Sequence, residues 1–376
     1  MDIHSRFDAG KIEVLSARDP RDIRLAIPAD NAASEHRQWF AFRAPRSGGQ
    51  DRLYRIMNAG ECTYADAFED YQACASYDGE HWFRVPTELE NGELRITHCA
   101  EADEVTYAYF APYPRARHRQ LMQDAAASGA ARIRNVGFSV EREAMTVLDF
   151  GEVREETRKL WIVAHQHPGE PMGAWFAEGL IQRLMNDDDE LVRELLERAS
   201  IHVVQRMNPD GATRGNHRTN AAGLDLNRMW WEADEEKSPE VVAVRKALYE
   251  TGVDFFLDVH GDEHQPHVFL AGAEGNPHYT DRIEELEDAF SNAMLEANGD
   301  FQTEEGYPKD APGKGDLRCA SNYTGEAFDC LSLTLEMPFK DDADAPDPEV
   351  GWSPERCRKL GADTLEAMLA VVDDLR

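Results

Sequence analysis

His167 and Glu170 stand three residues apart in the stretch His165-Gln-His-Pro-Gly-Glu170. A neutral imidazole and a carboxylate are two of the three protein ligands of a catalytic zinc, whose fourth position is left to water. His260, in Asp258-Val-His-Gly261, offers the imidazole that would complete a His/Glu/His set. Asp258 reads either as a carboxylate orienting a ligand histidine or as a residue on the other face of its strand. An H-x-x-E pair alone is common by chance, so its surroundings decide its weight.

Those surroundings are ordered. Residues 160–164, Leu-Trp-Ile-Val-Ala, have the length and apolar content of a buried strand, and Pro168 and Gly169 then force a turn. Residues 172–185 come next with helical spacing, Trp175, Leu180, Leu184 and Met185 falling on one side. The pair is thereby placed at the carboxyl end of a strand, where open α/β sheets put their ligands. From residue 121 onward strands and helices alternate, with strands expected at 136–142, 147–150, 201–206, 253–259 and 331–335, the last broken by Glu336. Helices are expected at 119–128, 238–249, 277–298 and 353–375. This alternation predicts an α/β domain, a mixed sheet with helices on both faces. Before it, short alternating segments at 23–27, 38–43, 52–56, 80–85, 92–97 and 105–110 predict an antiparallel β-sandwich. Pro112, Pro114 and the basic run 115–119 mark the junction, giving domains at 1–117 and 118–376.

Composition narrows the function. The chain has 376 residues, 42% of them hydrophobic, and no apolar run of membrane-spanning length. Its six cysteines form no C-x-x-C pair, and its start lacks a basic region followed by an apolar one; both predict a cytoplasmic protein. Forty basic against 72 acidic residues give a net charge of −32, which excludes nucleic acid and anionic membranes as natural partners.

Further patches lie at strand ends: Asn208-Pro-Asp-Gly211, Gly215-Asn-His-Arg218, Gly223-Leu-Asp-Leu-Asn-Arg228 and Thr334-Leu-Glu336. With H-P-G-E and D-x-H-G they form an ordered set that resembles the zinc metallocarboxypeptidases of the carboxypeptidase A type, and more closely their cytosolic carboxypeptidase subfamily, of which this would be a bacterial member. Phe7-Asp-Ala-Gly-Lys-Ile-Glu-Val14, Cys74-Ala-Ser-Tyr-Asp-Gly79 and Tyr109-Phe-Ala-Pro-Tyr113 are similar to the β-sandwich that precedes the catalytic domain there. The resemblance implies one zinc ion held by His167, Glu170 and His260, and Glu336 as the base that takes a proton from the zinc-bound water. Arg218 would stabilise the oxyanion, and Asn227 and Arg228 would bind the terminal carboxylate of a peptide or protein substrate. His165 does not fit the family's spacing and is assigned to the core or to supporting a ligand, and Asn208-Pro-Asp-Gly211 to a structural turn.

The resemblance leaves specificity open. Tyr307 and Tyr323 both lie in the general region of the tyrosine that covers the substrate in digestive carboxypeptidases, and neither falls in a motif that carries that role over. Lys314 and Arg318 are the candidates for a pocket receiving acidic, glutamate-bearing chain ends. The alternatives are a zinc amidohydrolase acting on N-acyl amino acids and a non-catalytic binding protein of the same fold.

Overall fold

A computed structural model describes residues 2–376. Among them, nine strands precede residue 115: β1 Glu13–Ser16, β2 Ile23–Ala26, β3 Ala41–Pro45, β4 Asp51–Ile56, β5 Ala73–Ser76, β6 Phe83–Val85, β7 Thr87–Glu90, β8 Glu93–Cys99 and β9 Glu104–Ala108. They form two sheets, β1-β2-β4-β8-β7 and β3-β9-β5-β6. The inner faces meet through aromatic rings, Tyr54 of β4 lying 5.4 Å from Phe42 of β3 and 4.8 Å from Tyr107 of β9, centroid to centroid. This is the expected sandwich, antiparallel except where β2 pairs with β4. Within it β6 begins only at Phe83, later than the alternation suggests. Asp78 accepts the backbone N–H groups of Glu80 and His81, both at 2.8 Å, and holds residues 78–81 in a turn.

The remaining elements are α1 Arg115–Ser128, β10 Ala131–Phe138, β11 Ala144–Phe150, β12 Arg158–Ala164, α2 Met172–Leu184, α3 Glu190–Arg198, β13 Ala199–Val204, α4 Pro209–Arg214, α5 Pro239–Thr251, β14 Phe255–Val259, β15 Phe269–Ala271, α6 Asp281–Ala297, α7 Ala320–Phe328, β16 Leu331–Glu336 and α8 Pro354–Val371. Their seven strands make one mixed sheet in the order β10-β11-β13-β12-β14-β16-β15. Its middle, β13-β12-β14-β16, is parallel. These strands are apolar on both faces because helices cover both. Leu160, Ile162 and Ala164 join Trp175, Phe176 and Leu365 in the core shared with α2 and α8. Trp161 and Val163 pack with Val244, Leu248 and Trp230 on the other side. Helices α2 and α8 touch backbone to backbone: a Cβ on Gly179 would lie 2.0 Å from the Arg358 carbonyl oxygen, so only glycine fits.

Asn208-Pro-Asp-Gly211 is more than the expected turn. Asn208 caps α4, its side chain accepting the Gly211 N–H at 3.0 Å, and Pro209 supplies the first helical residue. The sandwich and the seven-stranded sheet share one core, with Tyr109 stacked on Phe339 at 4.7 Å. Arg84 adds polar ties, donating to the carbonyls of Val350, Phe339 and Trp352. No helix among the described residues is long and apolar enough to cross a membrane.

Candidate active site

The parallel registers Ala164↔Val259 and Val259↔Leu335 align the carboxyl ends of β12, β14 and β16. The segments just beyond β12 and β14 carry His167 with Glu170, and His260, while Glu336 is the last residue of β16. The turn after β12 is pinned from outside: Gly169 N–H donates to the His217 carbonyl at 2.7 Å, and a Cβ there would lie 2.5 Å from His217 Nδ1. Glycine is required for that approach.

His167, Glu170 and His260 are buried, and their ligand atoms lie within 4.8 Å of one another. His167 Nδ1 is 2.7 Å from Glu170 Oε1, and His260 Nδ1 is 2.8 Å from Glu170 Oε2. On the far side of each ring, Nε2 meets an aspartate: His167 with Asp225 Oδ1 at 3.0 Å, His260 with Asp258 Oδ2 at 2.8 Å. When Nε2–H donates to each aspartate, Nδ1 presents a lone pair. Two lone pairs and a carboxylate then converge with no proton among them, a donor set that suits a zinc ion. Asp258 is thus the orienting carboxylate of the two readings open for it, and Gln166 Nε2 also donates to it, at 2.8 and 2.7 Å.

His165 turns away. It adopts φ +62°, its Nε2 lies 2.9 Å from the Pro168 carbonyl, and burial lowers its pKa to about 3. It is a neutral donor to the turn.

Glu336 ends β16 buried, with Oε1 3.2 Å from the Tyr307 hydroxyl and Oε2 without a partner among the described residues. Burial raises its pKa well above that of an ordinary carboxyl, and Glu170 and Asp262 add to the rise. Such a carboxylate is a stronger base near neutrality. Tyr307 and Tyr323 now separate. The Tyr307 hydroxyl sits between Glu336 and Asp262 Oδ2, at 2.6 Å from the latter. Tyr323 is buried outside the cavity, packed with Trp230 and hydrogen-bonded to Tyr249.

Arg218 is held between Asp225 Oδ2, at 2.8 Å from Nε, and the Tyr64 hydroxyl, at 3.0 Å from Nη1. Asn227 is buried, its Oδ1 accepting the Ala320 N–H at 2.8 Å, and the partly exposed Arg228 donates to the Asn227 carbonyl at 2.8 Å. Arg218, Asn227, Arg228, Tyr307 and Glu336 line one cavity of about 610 Å³ with His167, Glu170 and His260. Lys314 and Arg318 do not line it, and Arg318 is paired with Asp316 at 2.8 Å.

Sequence reasoning missed three residues that hold this arrangement. Asp225 had a signal, as the acid within Gly-Leu-Asp-Leu-Asn-Arg. Tyr64, and Asp30, whose carboxylate accepts the backbone N–H groups of His217, Arg218 and Thr219, had none.

A buried His/Glu/His cluster beside a buried acid, at strand ends of a mixed α/β sheet, defines a metallohydrolase. Residues 3–110 match the cytosolic carboxypeptidase N-terminal domain, and residues 118–349 match zinc carboxypeptidase. The chain is 46% identical to a metallo-carboxypeptidase from Pseudomonas aeruginosa solved in complex with (2-guanidinoethylmercapto)succinic acid, with a TM-score of 0.96 and 100% of both chains covered. It is 44% identical to a metallo-carboxypeptidase from Burkholderia cenocepacia, with a TM-score of 0.96 and 99% of both chains covered. Cytosolic carboxypeptidase 2 of Danio rerio is 25% identical over 71% of this chain and 42% of its own length. The chain belongs to the zinc carboxypeptidase family, in the branch with the cytosolic carboxypeptidase N-terminal domain, and is a metallocarboxypeptidase.

Proposed function

We propose that this enzyme removes the carboxyl-terminal residue of peptides or proteins with a single zinc ion held by His167 Nδ1, Glu170 and His260 Nδ1. The observation that carries this reading is the pair of Nε2–aspartate contacts, which turns both Nδ1 atoms toward Glu170. When bound, zinc polarises the scissile carbonyl and lowers the pKa of water at the site. Glu336, buried with a free Oε2, takes the proton of the attacking water and returns it to the departing amine. Arg218 faces the oxygen on which negative charge develops. Arg228, with Asn227 beside it, binds the terminal carboxylate, and Tyr307 closes over the residue to be removed. Residues 1–117 and 118–376 are the two domains of this reading, and six free cysteines fit a reducing cytoplasm.

The cavity wall favours a cationic terminal side chain over an acidic one. Glu274, Glu287, Glu304, Glu305 and Asp310 line it against Lys309, and Glu274 Oε2 is buried without a partner among the described residues. The ligand of the Pseudomonas aeruginosa relative joins a guanidino group to a succinate, which fits the same charge pattern. Lys314 and Arg318, the candidates for a basic pocket, are not among the lining residues.

The test is mass spectrometry of a mixed peptide library incubated with zinc-loaded enzyme. One-residue losses from the carboxyl end, abolished by a chelator and richest in Lys or Arg, are expected. Losses confined to Glu or Asp would overturn the charge assignment. Intact peptides alongside cleaved N-acyl amino acids would replace the peptidase reading with the amidohydrolase one.

A further inference from the structure

Arg218 has two anchors in the first 117 residues of the chain. Asp30 is 5% exposed, and its carboxylate accepts the backbone N–H groups of His217 at 2.6 Å, Arg218 at 2.9 Å and Thr219 at 2.9 Å, together with the Thr219 hydroxyl at 3.0 Å. Four donors satisfy the carboxylate, one on Oδ1 and three on Oδ2. That set offsets the cost of burying an acid between sandwich and catalytic sheet. Three successive N–H groups aimed at one side chain also fix the backbone from which the Arg218 side chain leaves. Lys11 secures the arrangement, its Nζ donating to the Asp30 carbonyl at 2.6 Å and to Asn216 Oδ1 at 3.0 Å.

The second anchor is Tyr64. Its hydroxyl accepts from Arg218 Nη1 at 3.0 Å, its ring packs edge-on against His217 at 5.7 Å, and it lines the cavity. With Nε committed to Asp225 and Nη1 to Tyr64, Nη2 is the guanidinium nitrogen without a protein partner among the described residues.

We propose that the N-terminal sandwich is part of the catalytic apparatus: Asp30 fixes the backbone, and Tyr64 the guanidinium, that present Arg218 Nη2 to the substrate carbonyl. The inference rests on the carboxypeptidase reading. Both are positioning residues acting through Arg218, so they act on the transition state more than on the bound substrate.

The experiment uses the full-length, zinc-loaded enzyme with Tyr64→Phe, Asp30→Asn, Arg218→Ala and the double variant Tyr64→Phe/Arg218→Ala. Losing a hydrogen bond to a charged group predicts a fall in kcat of about 10-fold for Tyr64→Phe. KM, zinc content and melting temperature should stay near wild type. In the Arg218→Ala background, Tyr64→Phe should cost nothing further. An unchanged kcat in Tyr64→Phe, or an equal loss in both backgrounds, overturns the proposal. A second arm needs no substrate. Amide hydrogen exchange across residues 217–219 should quicken about 10-fold or more in Asp30→Asn, and unchanged exchange also overturns the proposal. If wild type cleaves no peptide, the carboxypeptidase reading fails, while the exchange arm still judges the Asp30 anchor.

Discussion

Arg218 and His167 are joined through opposite oxygens of one carboxylate: Asp225 Oδ2 lies 2.8 Å from Arg218 Nε, and Oδ1 lies 3.0 Å from His167 Nε2. Burial pushes the Asp225 carboxyl up, but His167 and Arg218 pull it well below the usual range, so it stays charged. The cation proposed to face the substrate and one proposed metal ligand therefore share one support. Asp225→Asn is expected to weaken zinc binding by about 10–100-fold, as loss of such supporting carboxylates does. Competition with a chromophoric chelator measures this, and unchanged affinity would remove Asp225 from the metal centre.

Glu336→Gln keeps the shape of the side chain and removes its basicity. We expect kcat to fall by about 10²–10⁴-fold, the usual contribution of a general base. Zinc content by atomic absorption should be unchanged, because Glu336 is outside the ligand set. A variant with near-normal turnover would return the base role to another residue.

Arg228→Ala should act on binding. Loss of a charge-assisted contact to the terminal carboxylate predicts a KM about 10–100-fold higher with a smaller change in kcat. Peptides amidated at the carboxyl terminus offer no such carboxylate, and for them the variant should match wild type. An equal penalty on free and amidated peptides is the result that would sink this assignment.

Stability should carry a pH signature from Glu240, at the start of α5. This carboxyl is fully buried, and burial raises its pKa to about 7. Folded protein therefore keeps the proton between about pH 4.5 and 7, where an unfolded glutamate has lost it. The folded state binds more protons there, so this group's contribution falls as pH rises through that window, by about 3 kcal/mol at most. Glu240→Gln should flatten that slope in denaturant titrations at pH 5 and pH 8.

The cluster of His167, Glu170, His260 and Glu336 was legible because each sits in a short motif at or just after the end of a continuous apolar strand, where local sequence and tertiary position coincide. Placement of β12, β14 and β16 came from the same runs. Choosing between Tyr307 and Tyr323 was beyond the sequence, since Tyr307 lies in an irregular loop whose path is set by contacts with Asp262 and Phe269. Asp30 and Tyr64 were invisible for a related reason: their partners lie far along the chain, in the 217–219 segment, and nothing in their own neighbourhoods announces it. The turn expected at Asn208 became a helix because its side-chain oxygen caps the first turn of α4.

Adjacent parallel strands deliver His167, Glu170, His260 and Glu336 to one place, in a register that pairs Ala164 with Val259 and Val259 with Leu335. Side chains alternate faces along a strand, so inserting or deleting one residue in β12, β14 or β16 would turn a whole row inside out. Length variation among descendants of this sequence should therefore gather in the exposed 343–349 loop, away from the cavity. A single-codon indel in those three strands should be lost from any population that needs the enzyme.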